Sequence, residues 1–146
     1  MLLGEFGANE GTRDEAAYLE AIYTWLDARF VSGTQWNYTP GWTPTAKDGF
    51  DLEDYSITDD SGALRPGLFE ARPFPQKTAG VPISFQRDAH GFICRWQYEP
   101  SLGSTELFVL EGQEVAEQTG VTCLHLEHTL SCTGTEAGEV SVVVKD

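Results

Sequence analysis

The chain has 146 residues, of which 40% are hydrophobic and 12% aromatic, enough to bury a core and too many for a disordered polymer. Nine basic against 23 acidic residues give a net charge of -14. That excludes nucleic acid and anionic membrane surfaces as partners, because both need clustered lysine and arginine, and leaves ligands that are neutral or cationic.

No stretch approaches the roughly 20 apolar residues of a membrane helix, and no charged, apolar, then small-residue leader is visible. The chain reads as soluble, and its compartment stays open. The three cysteines, Cys94, Cys123 and Cys132, make an odd count that does not read as a disulfide framework. Cys123 and Cys132 would pair only by facing each other across a hairpin, and free buried thiols are the preferred reading.

The first element is Leu2-Leu3-Gly4-Glu5-Phe6-Gly7. A short apolar run ends in a carboxylate between two glycines, the form of a buried parallel strand whose last side chain emerges into a pocket. On these six residues alone, a surface turn fits better. Thr12-Arg13-Asp14-Glu15 has the spacing of a capping box. A helix is expected from Arg13 to Phe30, with Tyr18, Ile22, Trp25, Leu26 and Phe30 on one face and Ser32-Gly33 ending it. Thr34 to Thr39 then reads as a strand. Strand, helix, strand implies two parallel neighbours with Glu5 and Trp36 near one carboxyl edge. There a tryptophan either stacks on a sugar ring or fills a core.

Pro40 to Asp60 is loop by composition. Its acidic cluster, Asp51, Glu53 and Asp54, lacks the ligand spacing of a calcium loop and reads as solvated. Leu64 to Ala79 reads as an irregular helix interrupted by Pro73 and Pro75. From Val81 the chain changes to short alternating runs separated by glycine, proline, serine or aspartate, the pattern of a small antiparallel sandwich. No metal site is read: His125 and His128 are three apart, which on a strand puts them on opposite faces.

These residues resemble a family 5 glycoside hydrolase, in particular the C-terminal third of the endoglycoceramidase-related branch. Gly4-Glu5-Phe6-Gly7 is similar to the strand-seven motif of that family, and Trp36 to its strand-eight tryptophan. Two longer stretches carry more of the likeness. They are Lys47 to Ile57 with Asp59 to Arg65, and Ala71 to Pro82, which resembles the closing helix of the barrel.

The resemblance implies an α/β fragment of a (β/α)8 TIM barrel over residues 1–80, followed by an antiparallel β-sandwich domain over 81–146. It implies a retaining hydrolase that cleaves O-glycosidic bonds in a β-glycoside or glycolipid. Glu5 would be the nucleophile, and Trp36, Asn37 and Tyr38 the substrate-binding residues, with no cofactor. A complete barrel takes about 250 residues, so only its last two strands and helices have a counterpart. The family's acid/base glutamate has no place in the chain, which implies inactivity alone and association through an exposed barrel edge. The alternative reading is a non-catalytic β-sandwich module that binds carbohydrate or a partner through Trp96 and Tyr98.

Overall fold

The computed structural model describes residues 1–40, 45 and 53–146. It is mostly β-sheet, in two compact units. The first comprises Met1–Leu26 with Val31–Glu70, the second Asp27–Phe30 with Ala71–Asp146.

In the first unit, β1 (Leu2–Phe6) and β2 (Ser32–Gln35) pair in parallel, joined by α1 (Glu15–Asp27). The helix is shorter than the expected 13–30. It starts only at Glu15 because Asp14 has φ 62, outside the helical region. It stops before the Ser32-Gly33 pair expected to end it. The amide of Phe30 donates to the Asp27 carbonyl at 3.2 Å and that of Val31 to the Leu26 carbonyl at 3.0 Å, with Phe30 at φ 50. That is a Schellman termination with a phenylalanine where glycine is usual. Gly33 is needed for another reason. A Cβ there would lie 2.9 Å from Phe6 Cε1 and 3.0 Å from Leu26 Cδ1.

The buried stripe of α1 also differs from the expected one. Leu19 and Leu26 are buried, and Ile22 and Tyr23 pack with them against Phe6, Ala8 and Leu68. Tyr18 and Trp25, assigned to the buried face, are 50% and 40% exposed. Both stripes satisfy the i, i+3, i+4, i+7 rule, one residue out of phase. Ile22 and Leu26 are common to both, and Leu19 and Tyr23 take the buried places expected of Tyr18 and Trp25.

The second unit is a sandwich of two antiparallel sheets. One has the order β4 (Gly80–Asp88), β5 (Gly91–Tyr98), β10 (Gly138–Lys145), β7 (Glu114–Thr119). The other runs β3 (Phe74–Lys77), β6 (Thr105–Phe108), β9 (Thr129–Thr133), β8 (Thr122–Leu126). The expected irregular helix over Leu64–Ala79 is absent: its last part is β3, at a sheet edge. Pro73 and Pro75 explain this, because each removes a helical donor, whereas an edge strand tolerates proline.

Strict alternation builds the core. Val140, Val142 and Val144 of β10 stand opposite Trp96, Cys94 and Phe92 of β5, and all six are buried. Phe85 lies against Phe92 with ring centroids 5.2 Å apart. Each such side chain contributes about 1.5–3 kcal/mol through burial. Trp96 is 0% and Tyr98 2% exposed. They are core residues, which removes them as the ligand-binding pair of the alternative reading. Asp27 takes part in this unit, paired with Arg87 at 3.2 Å and Arg72 at 3.6 Å.

The cysteine reading is corrected as well. Cys123 and Cys132 are directly opposed on the β8–β9 hairpin and form a disulfide. The free thiol is Cys94, buried, and burial pushes its pKa from the ordinary 9.0 up to about 12. The native state therefore keeps a proton that the unfolded chain releases, so folding stability falls as pH rises from about 9 towards about 12. In the native protein a thiol-specific reagent should find no reactive group at pH 8, and one after denaturation without reductant. Cys123→Ser with Cys132→Ser should lower stability by about 2–3 kcal/mol, seen as a lower melting temperature. A reactive native thiol, or a double variant that melts unchanged, contradicts this.

Candidate active site

β1 and β2 are short, and what matters is how their ends meet. Leu3 pairs with Gly33 and Phe6 with Gln35, three steps along β1 against two along β2. The extra residue falls at Gly4-Glu5, where the burial alternation also breaks, with both positions exposed. An irregularity of this kind re-aims a side chain, and here the side chain is Glu5. The Thr34 hydroxyl donates to the Gly4 carbonyl across the gap. Among the described residues nothing pairs with the Glu5 carboxylate, which is open to solvent.

Beyond the irregularity the strand ends close again. The Trp36 amide donates to the Phe6 carbonyl at 2.7 Å. Gly7 is obligatory at this crossing, because a Cβ there would collide with the Trp36 carbonyl oxygen. The Glu-Phe-Gly segment and Trp36 are therefore in direct contact. Trp36 is 43% exposed and Tyr38 68%. The Trp36–Asn37 peptide is cis. Asn37 is part-buried and backbone-bonded on both sides, its amide to the Tyr55 carbonyl at 3.0 Å and its carbonyl to the Ile57 amide at 2.9 Å. Glu5, Trp36 and Asn37 thus gather at one edge. Tyr38 follows on the exposed segment, beyond the residues held there.

The sequence reading missed the part that holds these ends. Asp54–Thr58 forms a strap across them. The Glu10 amide donates to the Asp54 carbonyl at 2.7 Å, and the Asp54 amide to Asn9 Oδ1 at 2.8 Å. Arg65 locks the strap from beneath: it pairs with Asp54 at 2.7 Å and Glu10 at 3.5 Å, and donates to the Ser56 carbonyl at 3.0 Å. Hydrogen bonding to Asp54 raises the Arg65 pKa further above its ordinary value. The acidic cluster read as a solvated loop is thus partly structural: Asp54 is buried, while Asp51 lies outside the described residues. So does most of the Lys47–Ile57 stretch that carried the resemblance. No group of three or more His, Cys, Asp or Glu among the described residues is placed to hold a metal.

Chemically, the two adjoining strand ends offer an exposed carboxylate at Glu5 and a partly exposed indole at Trp36. A carboxylate can attack carbon or accept hydrogen bonds, and an indole face stacks on weakly polar C–H surfaces.

No protein-family model matches the sequence, and no curated protein matches it. Solved structures do match. Endo-glycoceramidase II from Rhodococcus sp. is similar over 99% of this chain and 32% of its own, with TM-score 0.68 and 20% identity. The same enzyme in complex with ganglioside GM3 matches with TM-score 0.68 at 19% identity, over 99% of this chain and 31% of its own. Cryptococcus neoformans sterylglucosidase 1 is similar over 99% of this chain and 28% of its own, with TM-score 0.71 and 17% identity. The chain therefore has the fold of about a third of these glycosidases, in agreement with the resemblance read from its motifs.

Two substitutions test the closure. Gly7→Ala should cost about 1–3 kcal/mol by forcing the strand ends apart. It should also remove hydrogen-exchange protection from the Trp36 amide. Arg65→Ala strands a buried carboxylate and should cost about 3–5 kcal/mol, with protection lost at Glu10 and Asn37 and kept in the sandwich. Unchanged protection at these amides in either variant contradicts the geometry.

Proposed function

We propose that this chain is the C-terminal portion of a retaining glycoside hydrolase of the endoglycoceramidase-related family 5 branch, cleaving O-glycosidic bonds in a β-glycoside such as a glycolipid. Residues 1–80 are then the last two βα units of a (β/α)8 barrel, and 81–146 its C-terminal β-sandwich. What supports this reading is the backbone contact of Gly7 with Trp36 at the carboxyl ends of one parallel strand pair, with Glu5 and Trp36 both exposed there. Barrel enzymes carry their chemistry at that edge.

In this reading Glu5 attacks the anomeric carbon. The C–O bond to the aglycone breaks as the Glu5 ester forms, and water later releases the sugar with its configuration retained. Trp36 carries the sugar ring, with Asn37 and Tyr38 beside it. The step needs a second carboxyl group about 5–5.5 Å from the first to protonate the departing oxygen. Glu10, the nearest acid in sequence, is engaged by Arg65. No residue here is assigned that role, and the chain spans about a third of the enzymes it matches. Losing acid assistance costs a factor of about 10² to 10⁴.

Leaving-group assistance is dispensable for fluoride, and that separates the two halves of the chemistry. The chain should not turn over 4-nitrophenyl β-D-glucoside above the level of Glu5→Gln. A 2-deoxy-2-fluoroglucosyl fluoride should label it once, on Glu5, by loss of fluoride. Intact-mass and peptide-mass measurement reads the adduct. Labelling elsewhere, or its persistence in Glu5→Gln, removes Glu5 from the role.

A further inference from the structure

A parallel sheet is ordinarily covered and extended by further strands, and a two-stranded one is marginal by itself. Among the described residues β1 pairs with β2 alone. The Gly4 carbonyl accepts the Thr34 hydroxyl and the Phe6 carbonyl accepts the Trp36 amide, so both point towards β2. Carbonyls alternate in direction along a strand. Leu3 and Glu5 therefore turn their carbonyls and amides to the other edge, which is open.

α1 packs on both strands through Leu19, Ile22, Tyr23 and Leu26. One flank of that stripe is fixed to β2, where the Tyr23 hydroxyl donates to Gln35. Tyr18 and Trp25 lie on the opposite flank, which overhangs the open edge of β1. They are 50% and 40% exposed, and Ala21 and Ile22 between them carry no charge. In a chain of net charge -14, an uncharged flank beside an open edge is a place where a second molecule of the same charge can approach.

Both features fit one two-fold axis. Antiparallel pairing of two β1 edges about Gly4 sets Leu3 of each copy opposite Glu5 of the other, amide to carbonyl. Neighbouring strands lie about 4.8 Å apart and α1 sits over the β1–β2 pair, so the two helices come to about 10 Å, the packing distance of helices. They run antiparallel with Ile22 near the axis. Tyr18 of one copy then meets Trp25 of the other.

We propose that this chain forms a two-fold dimer through the open edge of β1 and the Tyr18–Trp25 flank of α1. A complete barrel would lay its neighbouring strand and helix on the same surface; in the chain of 146 residues a second copy takes that place. The dimer does not depend on Glu5 and Trp36 being a sugar site. Each of the two rings has about 100 Å² left to bury, which puts the interface at the small, transient end of the range. Charge opposes the association, so salt strengthens it.

Sedimentation equilibrium of the full chain should show monomer and dimer with a Kd on the order of 100 μM. Raising NaCl from about 50 to about 500 mM should tighten it about threefold. Trp25→Glu and Tyr18→Glu, both at exposed helix positions, should each weaken it about tenfold or more by setting a carboxylate against the facing ring, with little change in the melting temperature of dilute protein. Leu126→Glu, on the exposed edge strand of the sandwich, should leave it unchanged. In the parent chain, which needs no variant to fold, amide exchange at Leu3 and Glu5 should slow as concentration rises. A parent that stays monomeric at about 1 mM, ten times that Kd, overturns the dimer. So does association that salt weakens, one lost in Leu126→Glu but kept in both α1 variants, or one that leaves exchange at Leu3 and Glu5 unaltered.

Discussion

One hydrogen bond governs the first unit: the Trp36 amide donating to the Phe6 carbonyl at 2.7 Å. It closes a two-stranded parallel sheet at its carboxyl edge, and it forms only because Gly7 has no side chain to hold the carbonyl of Trp36 away. Just before it, the extra residue at Gly4-Glu5 turns a carboxylate outwards. A regular strand would have alternated Glu5 with Phe6 and left the register intact. The irregularity and the closure work as a pair, one releasing a polar side chain and the other recovering the pairing within one residue.

A pair of strands this short does not stabilise itself. The support comes from an unusual source, a strap with its polar side chains inwards. Ser56 donates to the Thr39 carbonyl and is 3.1 Å from the Thr58 hydroxyl, and the Asp54 carboxylate accepts the Ser56 amide at 3.0 Å. Buried polar groups cost stability unless each finds a partner, and here they are linked to one another and to Arg65. Such a network contributes little net free energy by comparison with an apolar cluster of the same size. What it adds is directional: every bond in it fixes one strand end relative to another. That suits a place where side-chain positions matter more than depth of burial.

The sequence made the parallel pair and the sandwich legible for different reasons. In the sandwich, apolar periodicity and burial agree, as in Phe92, Cys94 and Trp96 against Val144, Val142 and Val140, whereas the parallel pair was legible from the strand, helix, strand order, its strands being largely exposed. It misled wherever two patterns of equal quality competed. In α1 the stripe through Tyr18 and Trp25 and the stripe through Leu19 and Leu26 have the same spacing, and only packing against Phe6 and Leu68 separates them. In Asp54-Tyr55-Ser56-Ile57-Thr58 the usual rule would bury Tyr55 and Ile57, and the structure buries the other three. The one signal for that was Arg65, a lone cation downstream of an acidic stretch. Cys123 and Cys132 were legible as a pair only once the hairpin register was known, since a shift of one residue would put them on opposite faces. The contact of Glu5's strand end with Trp36 followed from strand order alone. The irregularity that exposes Glu5 did not, because Gly4 meets nothing that would require a glycine there.

The two units meet opposite physical demands. The sandwich is closed over an apolar core, its largest aromatic is fully buried, and a covalent cross-link joins an edge strand to its neighbour. The strand pair has little apolar burial, exposed aromatics on its helix, and open strand edges of the kind that proteins ordinarily cover. In the proposed role, an acid that meets a ligand cannot sit in the first environment, where it would lose its charge, and it needs fixed geometry that the second does not supply by burial. The Arg65-centred strap answers that need. It holds the ends of β1 and β2 by hydrogen bonds and charge and leaves the indole of Trp36 and the carboxylate of Glu5 uncovered.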